Sequence, residues 1–234
     1  LFFPDDCRIC KRALVKWTRV PVCDECMNSP APLEADYFCA VCNMPFLNAY
    51  PLDEHGVCAA CRSGLRGFDY ASSFGSYEGS LRSLIHLYKY AAMKPLGRPL
   101  ANYLDRALPG EERFDAVVPV PLHWRKKWHR GFNQAELLAR HIARRRGIPL
   151  RNALRRRRAT ATQAGLASAG RRRNVEGAFA VRRNIRLKGE RILLIDDVMT
   201  TGATAGACAA ALKRAGAQSV SLLTLARVDR RWRP

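Results

Sequence analysis

The sequence predicts an α/β fold: a parallel sheet flanked by helices, preceded by a small cysteine-rich domain held by metal. Three observations predict it. Four C-x-x-C pairs crowd into the first 61 residues. From Gly67 onward, apolar strand-like runs alternate with helical ones, the order that yields a parallel sheet with helices on its faces. One of those strands, Ile192–Ile195, runs directly into two aspartates and a threonine-glycine turn that opens a helix. Ligands of such folds sit beyond the carboxyl ends of the strands.

Composition sets limits. Of 234 residues, 48% are hydrophobic, ample for a core, and no unbroken apolar run approaches the ~20 residues that span a bilayer. A chain of membrane-spanning helices and a mostly disordered chain are both excluded. The opening LFFPDDCRIC lacks the basic start, apolar stretch and small-residue cleavage site of a secretory signal, so none is expected. The formal charge is +20, unevenly placed: residues 1–66 sum to −1, whereas residues 125–191 hold 21 basic and three acidic side chains. Such clustering points to a polyanionic partner. Arginine outnumbers lysine 32 to 8, so a proteome-wide preference for arginine and a merely solvated face is the competing explanation.

The pairs Cys7/Cys10, Cys23/Cys26, Cys39/Cys42 and Cys58/Cys61 are separated by 12, 12 and 15 residues, close to zinc-ribbon spacing. Two thiolates two residues apart on a tight turn can share one tetrahedral ion. Eight ligands therefore make two closed Zn²⁺ sites with no position left for water or substrate, which is structural rather than catalytic chemistry. A disulfide framework would suit a secreted chain, which the missing signal disfavours. Residues 1–66 have few aliphatic side chains, so the ions are expected to fold them, each contributing on the order of 10–16 kcal/mol of apparent binding. Sequential pairing (first with second, third with fourth) gives a double zinc ribbon and is favoured; alternate pairing would give an interleaved cross-brace. Cys208, in a helix of small residues, reads as a buried apolar residue.

In residues 67–234 the elements follow in order. Tyr70–Tyr77 reads as a strand, and Leu81, Leu84, Ile85 and Tyr88 share one face of the next helix. A second helix is expected after Pro99, a short buried strand over Asp115–Val120, and a helix over residues 133–146 with Asn133 as its cap. Arg191–Ile195 is a further strand, Gly202–Ala215 a helix of small residues ended by Gly216, and Ser219–Ala226 the last strand.

The segment ILLIDDVMTTGAT (Ile192–Thr204) carries the chemistry. Gly202 lets backbone amides turn tightly, and the hydroxyls of Thr200, Thr201 and Thr204 converge with them at a helix N-terminus, a nest for a phosphate monoester. Asp196 and Asp197, just before it, suit the hydroxyls of a vicinal diol. Phosphate and diol one sugar apart describe a ribose 5-phosphate. No G-x-x-x-x-G-K-[ST] and no dinucleotide fingerprint occurs.

Ile192–Thr204 resembles the signature of type I phosphoribosyltransferases, which bind 5-phosphoribosyl 1-pyrophosphate. With the four C-x-x-C pairs, SLRSLIHLYKY (Ser80–Tyr90), VPVPLHWRKKWHRGFNQAELLA (Val118–Ala139) and TQAGLASAGRRRNVEGAF (Thr162–Phe179), the chain resembles the ComF family of competence-associated proteins, phosphoribosyltransferase-like domains behind a zinc domain. The resemblance implies a type I phosphoribosyltransferase-like sheet. It places the ribose hydroxyls on Asp196 and Asp197 and the 5-phosphate on Thr200, Thr201, Gly202, Ala203 and Thr204. The loop after the Val117–Val120 strand becomes the pyrophosphate loop, with Arg125 and Arg130. Gln163, Arg171 and Asn174 belong to a mobile basic lid over residues 155–175. Mg²⁺ would arrive with the pyrophosphate, which needs no protein cage.

Where phosphoribosyltransferases for 6-oxopurines usually carry a carboxylate, this chain has Thr200, which cannot take a proton at neutral pH. No replacement base is evident. Two function classes follow: a Mg²⁺-dependent phosphoribosyltransferase with an unknown nitrogenous acceptor under a hood near Tyr70–Tyr90, or a non-catalytic single-stranded-DNA-binding adaptor in DNA uptake or repair. For the adaptor, Trp124, Trp128 and Phe132, interleaved with basic residues, are the stacking candidates. The resemblance also implies a cytoplasmic protein, peripheral to the inner membrane through partners, with competence-machinery proteins docking on the zinc domain.

Overall fold

The computed structural model describes residues 6–15, 19–64, 67–108, 110, 112–122, 128, 130–157, 177–229 and 231. Arg125, Gln163, Arg171, Asn174 and Trp124, named above, lie outside them.

Four parallel strands form the main sheet: β3 (Tyr70–Ser76), β4 (Ala116–Pro119), β7 (Arg191–Met199) and β8 (Ser219–Arg227), in the order β3-β8-β7-β4. Val117 also pairs in parallel with Leu150 beyond β4. Three of these strands carry buried runs of four or more consecutive residues, because helices cover both faces. One face receives α3 (Gly79–Tyr90), α4 (Gly97–Arg106) and α5 (Gln134–Arg146), which bury Leu84, Ile85, Leu100, Leu104, Leu138 and Ile142 against Leu193, Ile195 and Leu223. The other receives α6 (Ala203–Arg214), whose alanines and Cys208 pack tightly on Ile192, Leu194 and Leu222. Each fully buried leucine or isoleucine contributes about 2 kcal/mol.

Helix α4 begins at Gly97, two residues before Pro99, because a 3₁₀ turn over Lys94–Leu96 leads straight into it. Helix α5 starts where expected, but Asn133 caps it by position only; its side-chain amide donates to Val120 O at 3.1 Å and ties the helix to the end of β4. A two-stranded antiparallel ribbon, β5 (Leu154–Arg156) with β6 (Phe179–Val181), takes in Arg155 and Arg156 at the start of the expected lid. The remaining short elements, α1 (Asp24–Asn28), β1 (Tyr37–Phe38), β2 (Pro45–Phe46) and α2 (Ala59–Arg62), belong to the cysteine-rich segment.

That segment wraps the sheet, one cluster to each face. Cys7 and Cys26 lie in the core with α3 and α4, while Cys39, Cys42 and Cys58 lie in the core with α6. The chain between them crosses β3 so closely that a Cβ on Gly75 would stand 2.6 Å from Ala31 O. Only glycine fits there.

Part of the basic excess is absorbed inside the fold. Arg145 and Arg146 pair with Asp105, Arg151 with Glu190, and Arg191 with Asp115.

Candidate functional site

A cavity of about 270 Å³ opens at the carboxyl edge of the sheet, between the ends of β3, β4 and β7. Strand β7 runs four residues past the apolar stretch, because β8 is long enough to pair with it through Asp196↔Thr224 and Met199↔Arg227. Asp196 and Asp197 therefore stand on a strand rather than a loop, where successive side chains point to opposite faces. Asp197 meets Lys89 Nζ of α3 at 2.8 Å, each side chain about one-seventh exposed. Burial pushes the Lys89 ammonium down, but the Asp197 carboxylate outweighs it and holds the group protonated. Asp196 accepts the Asp197 amide at 2.8 Å and feels the charges of Lys89 and Arg156. Burial, then the charge of Asp197, push its carboxyl up to about 7. A carboxyl of that kind favours a hydrogen-bond or cationic partner over solitude.

After Met199 the chain turns at Gly202, whose φ of +79° is left-handed, and enters α6. The Ala203 amide donates to Thr201 Oγ1 at a long 3.3 Å. Thr200, Gly202, Ala203, Thr204 and Ala205 line the cavity, so the first-turn amides of a twelve-residue helix face it with their positive dipole end.

Opposite this loop stand cations. Arg130 lines the cavity, donates to Gln134 Oε1 at 3.2 Å and stacks on Tyr90 with its guanidinium 5.0 Å from the ring. Arg156, of β5, and Lys89 complete a basic wall. Gln134 is fully buried, and among the described residues its Nε2 has no acceptor. Such a donor is costly to leave unmade, and it suits an anion's oxygen. The site thus joins acidic, hydroxyl and cationic groups in one small space.

The cysteines converge as two sets, Cys7/Cys10/Cys23/Cys26 and Cys39/Cys42/Cys58/Cys61, with all four sulfurs of each within 4.8 Å of one another. This is the sequential pairing. Sulfur separations of 3.7 Å for Cys10–Cys23 and 3.8 Å for Cys39–Cys61 and Cys42–Cys58 match the ~3.8 Å edge of a tetrahedron with ~2.3 Å zinc–sulfur bonds. Backbone amides support the thiolate form: Ile9 and Cys23 donate to Cys7 Sγ, and Cys58 donates to Cys39 Sγ. Burial pushes Cys7 up, yet amides of Cys10, Cys23 and Ile9 outweigh it and bring the thiol to about 6. Both clusters can hold zinc.

The phosphoribosyl transferase domain family matches residues 130–234. Competence protein F of Haemophilus influenzae is 30% identical over 210 residues, 74% of this chain and 91% of that protein. The DNA utilization protein YhgH of Escherichia coli K12 is 30% identical over 236 residues, 97% of this chain and 99% of that one. This chain belongs to the ComF family. A solved adenine phosphoribosyl transferase from Trypanosoma brucei aligns at 17% identity with a TM-score of 0.37, over 58% of this chain and 54% of the other.

For a ComF-family chain read from sequence alone, two wall residues stayed hidden. Lys89 lies four residues beyond Ile85, at the border of the apolar stripe of α3, a position that reads as solvent-facing. Arg156 sits inside a run of four arginines with nothing to single it out. One stacking candidate is withdrawn: Phe132 is buried, edge-on to Tyr88 at 5.2 Å, because it plugs the core beneath α5. Trp128 is 82% exposed.

Proposed function

We propose that this cavity binds 5-phosphoribosyl 1-pyrophosphate. The 5-phosphate takes the amides and hydroxyls of Thr200–Thr204, the ribose hydroxyls take Asp196 and Asp197, and the pyrophosphate takes Arg130, Gln134 and Arg156. The observation that carries the reading is the meeting, in one cavity, of the acidic pair, the helix N-terminus and the basic wall. Asp197 then exchanges part of its contact with Lys89 for a ribose hydroxyl, and Lys89 stays close enough to the leaving group to offset its charge. Arg125 and the lid residues Gln163, Arg171 and Asn174 extend the same anion grip.

The donors fit Mg²⁺ as well. Mg²⁺ requires hard oxygens and usually keeps phosphates and water, and Asp196 and Asp197 are the carboxylates that would face it. When bound, it supplies charge neutralisation on the pyrophosphate. Residues 1–66 serve as the zinc-held module and residues 67–234 as the binding unit, at the cytoplasmic face of the membrane. No described helix is long and apolar enough to cross a membrane.

Calorimetry with Mg²⁺ and 5-phosphoribosyl 1-pyrophosphate tests the reading. Binding is expected to require Mg²⁺ and to vanish in Asp196→Asn/Asp197→Asn; unchanged binding in that double variant removes the assignment. A second reading, single-stranded DNA on the basic surface, is favoured by exposed Trp128 in its arginine- and lysine-rich run. It requires affinity to fall with salt at a slope of about −0.7 per phosphate neutralised, and a flat response rejects it.

A further inference from the structure

One wall of the cavity carries a hydrogen-bonded tyrosine–histidine pair. Tyr77 follows the last residue of β3, its amide held by Arg227 O at 2.7 Å, and its side chain lines the cavity with Lys89 and the two aspartates. Its hydroxyl lies 3.0 Å from Nε2 of His86 on α3. The His86 ring is further fixed between Tyr77 and Tyr90, with centroids 6.2 and 5.3 Å away. The other side of His86 is exposed and borders an outer groove shared with Arg8 and Arg82. The pair thus reaches from the cavity wall to solvent.

We propose that Tyr77 and His86 form a relay that removes the proton of the nucleophile attacking C1 of the bound phosphoribosyl group. This rests on the sugar-phosphate reading above and supplies the base that Thr200 cannot be. The acceptor's nitrogen or oxygen forms its bond to C1 as the C1–O bond breaks and its electron pair leaves with pyrophosphate. The acceptor's proton passes to Tyr77 Oη, the phenolic proton passes to His86 Nε2, and the imidazolium releases its own to solvent. The relay requires the Nδ1–H tautomer, in which Nε2 accepts from the phenol.

The groups around His86 suit the role. Arg82, Lys89 and Tyr90 face it from α3, Tyr77 from the end of β3, and Arg8 from the cysteine-rich segment. Burial, with Arg82 and Lys89 behind it, holds the imidazole below its usual range and hence neutral at pH 7. The substrate class follows: an acceptor with an N–H or O–H proton to lose, rather than one already anionic.

Water serves as the probe nucleophile. Zinc-loaded full-length protein with Mg²⁺ and 5-phosphoribosyl 1-pyrophosphate is expected to release pyrophosphate at a rate that rises with pH, with a midpoint below 6.5. Tyr77→Phe lowers the rate by about a hundredfold, and His86→Ala by at least about tenfold with loss of the pH dependence, while affinity in both stays within about twofold. His86→Gln, which holds the phenol without taking its proton, stays slow. Binding without pyrophosphate release, a flat wild-type pH profile, Tyr77→Phe turning over at the wild-type rate, or rescue by His86→Gln overturns the relay alone. Failure of the wild-type protein to bind contradicts the sugar-phosphate reading beneath it.

Discussion

The first cysteine cluster packs beside α3 and α4, where the Tyr103 hydroxyl donates to Met27 O just beyond Cys26. The second packs beside the end of β8, where the fully buried Arg227 donates through Nη1 to Cys42 O and through Nη2 to Met44 Sδ. The ligand sets are alike; the attachments differ. Arg227 is also the backbone partner of Met199, the residue before the threonine loop, and its carbonyl accepts the Tyr77 amide. A metal held at Cys39–Cys61 would therefore brace two walls of the cavity through one residue, the ends of β3 and β7, whereas one at Cys7–Cys26 would brace a helix pair behind it. A tetrathiolate zinc centre is formally dianionic, which also suits a buried guanidinium against its loop. Identical chemistry can hold a fold in one place and shape a site in another.

The sharpest way to break this comparison is to remove one ligand from each cluster. Cys42→Ala and Cys26→Ala should each lose one of two zinc ions by elemental analysis. Cys42→Ala is expected to weaken Mg²⁺-dependent phosphoribosyl pyrophosphate binding by about tenfold, and Cys26→Ala by no more than about twofold. Equal losses would erase the distinction. Arg227→Met should cost about 3 kcal/mol in urea unfolding, since it removes the buried guanidinium's hydrogen bond to the Cys42 carbonyl.

Acidity sharpens the contrast from both sides. The carboxyl of Asp196, beside the second cluster's strand, is raised from 3.8 to about 7, so the folded chain holds a proton there that the unfolded chain gives up. Its contribution erodes stability as pH climbs from about 4 to about 7. Asp196→Asn should therefore raise the melting temperature progressively over that window and by a constant amount above it. Glu25, beside the first cluster, has the opposite sign: its hydrogen bond and charge contact with Arg12, 2.6 Å away, hold it below the usual range. Its contribution is present at neutral pH and lost on acidification, so any deficit of Glu25→Gln should fade at low pH. The smallest effect is Tyr103→Phe, about 1 kcal/mol, felt in stability and not in ligand affinity.

Local patterns made much of this legible. The apolar face Leu81, Leu84, Ile85 and Tyr88 placed α3, and the strand-turn-helix at Ile192–Thr204 placed the cavity. The limits lay where distant pairing decides. Asp196 and Asp197 look like the start of a loop, yet β8 extends the ladder past them to Met199. The bond between Arg227 and Cys42 joins residues 185 apart, a relation that no window of sequence contains. Lys89 and Arg156 are charged residues in charged surroundings, and only the fold brings them to the acidic pair.

The claim beneath the rest is that a sugar phosphate docks on the first turn of α6. Amide spectra of labelled protein titrated with ribose 5-phosphate test it without any acceptor or pyrophosphate. Saturable shifts at Thr201, Gly202, Ala203, Thr204 and Ala205, which phosphoribosyl pyrophosphate with Mg²⁺ reproduces at the same amides, are the expected result. Shifts confined to the arginine-rich surface, with those five amides unmoved, would contradict it.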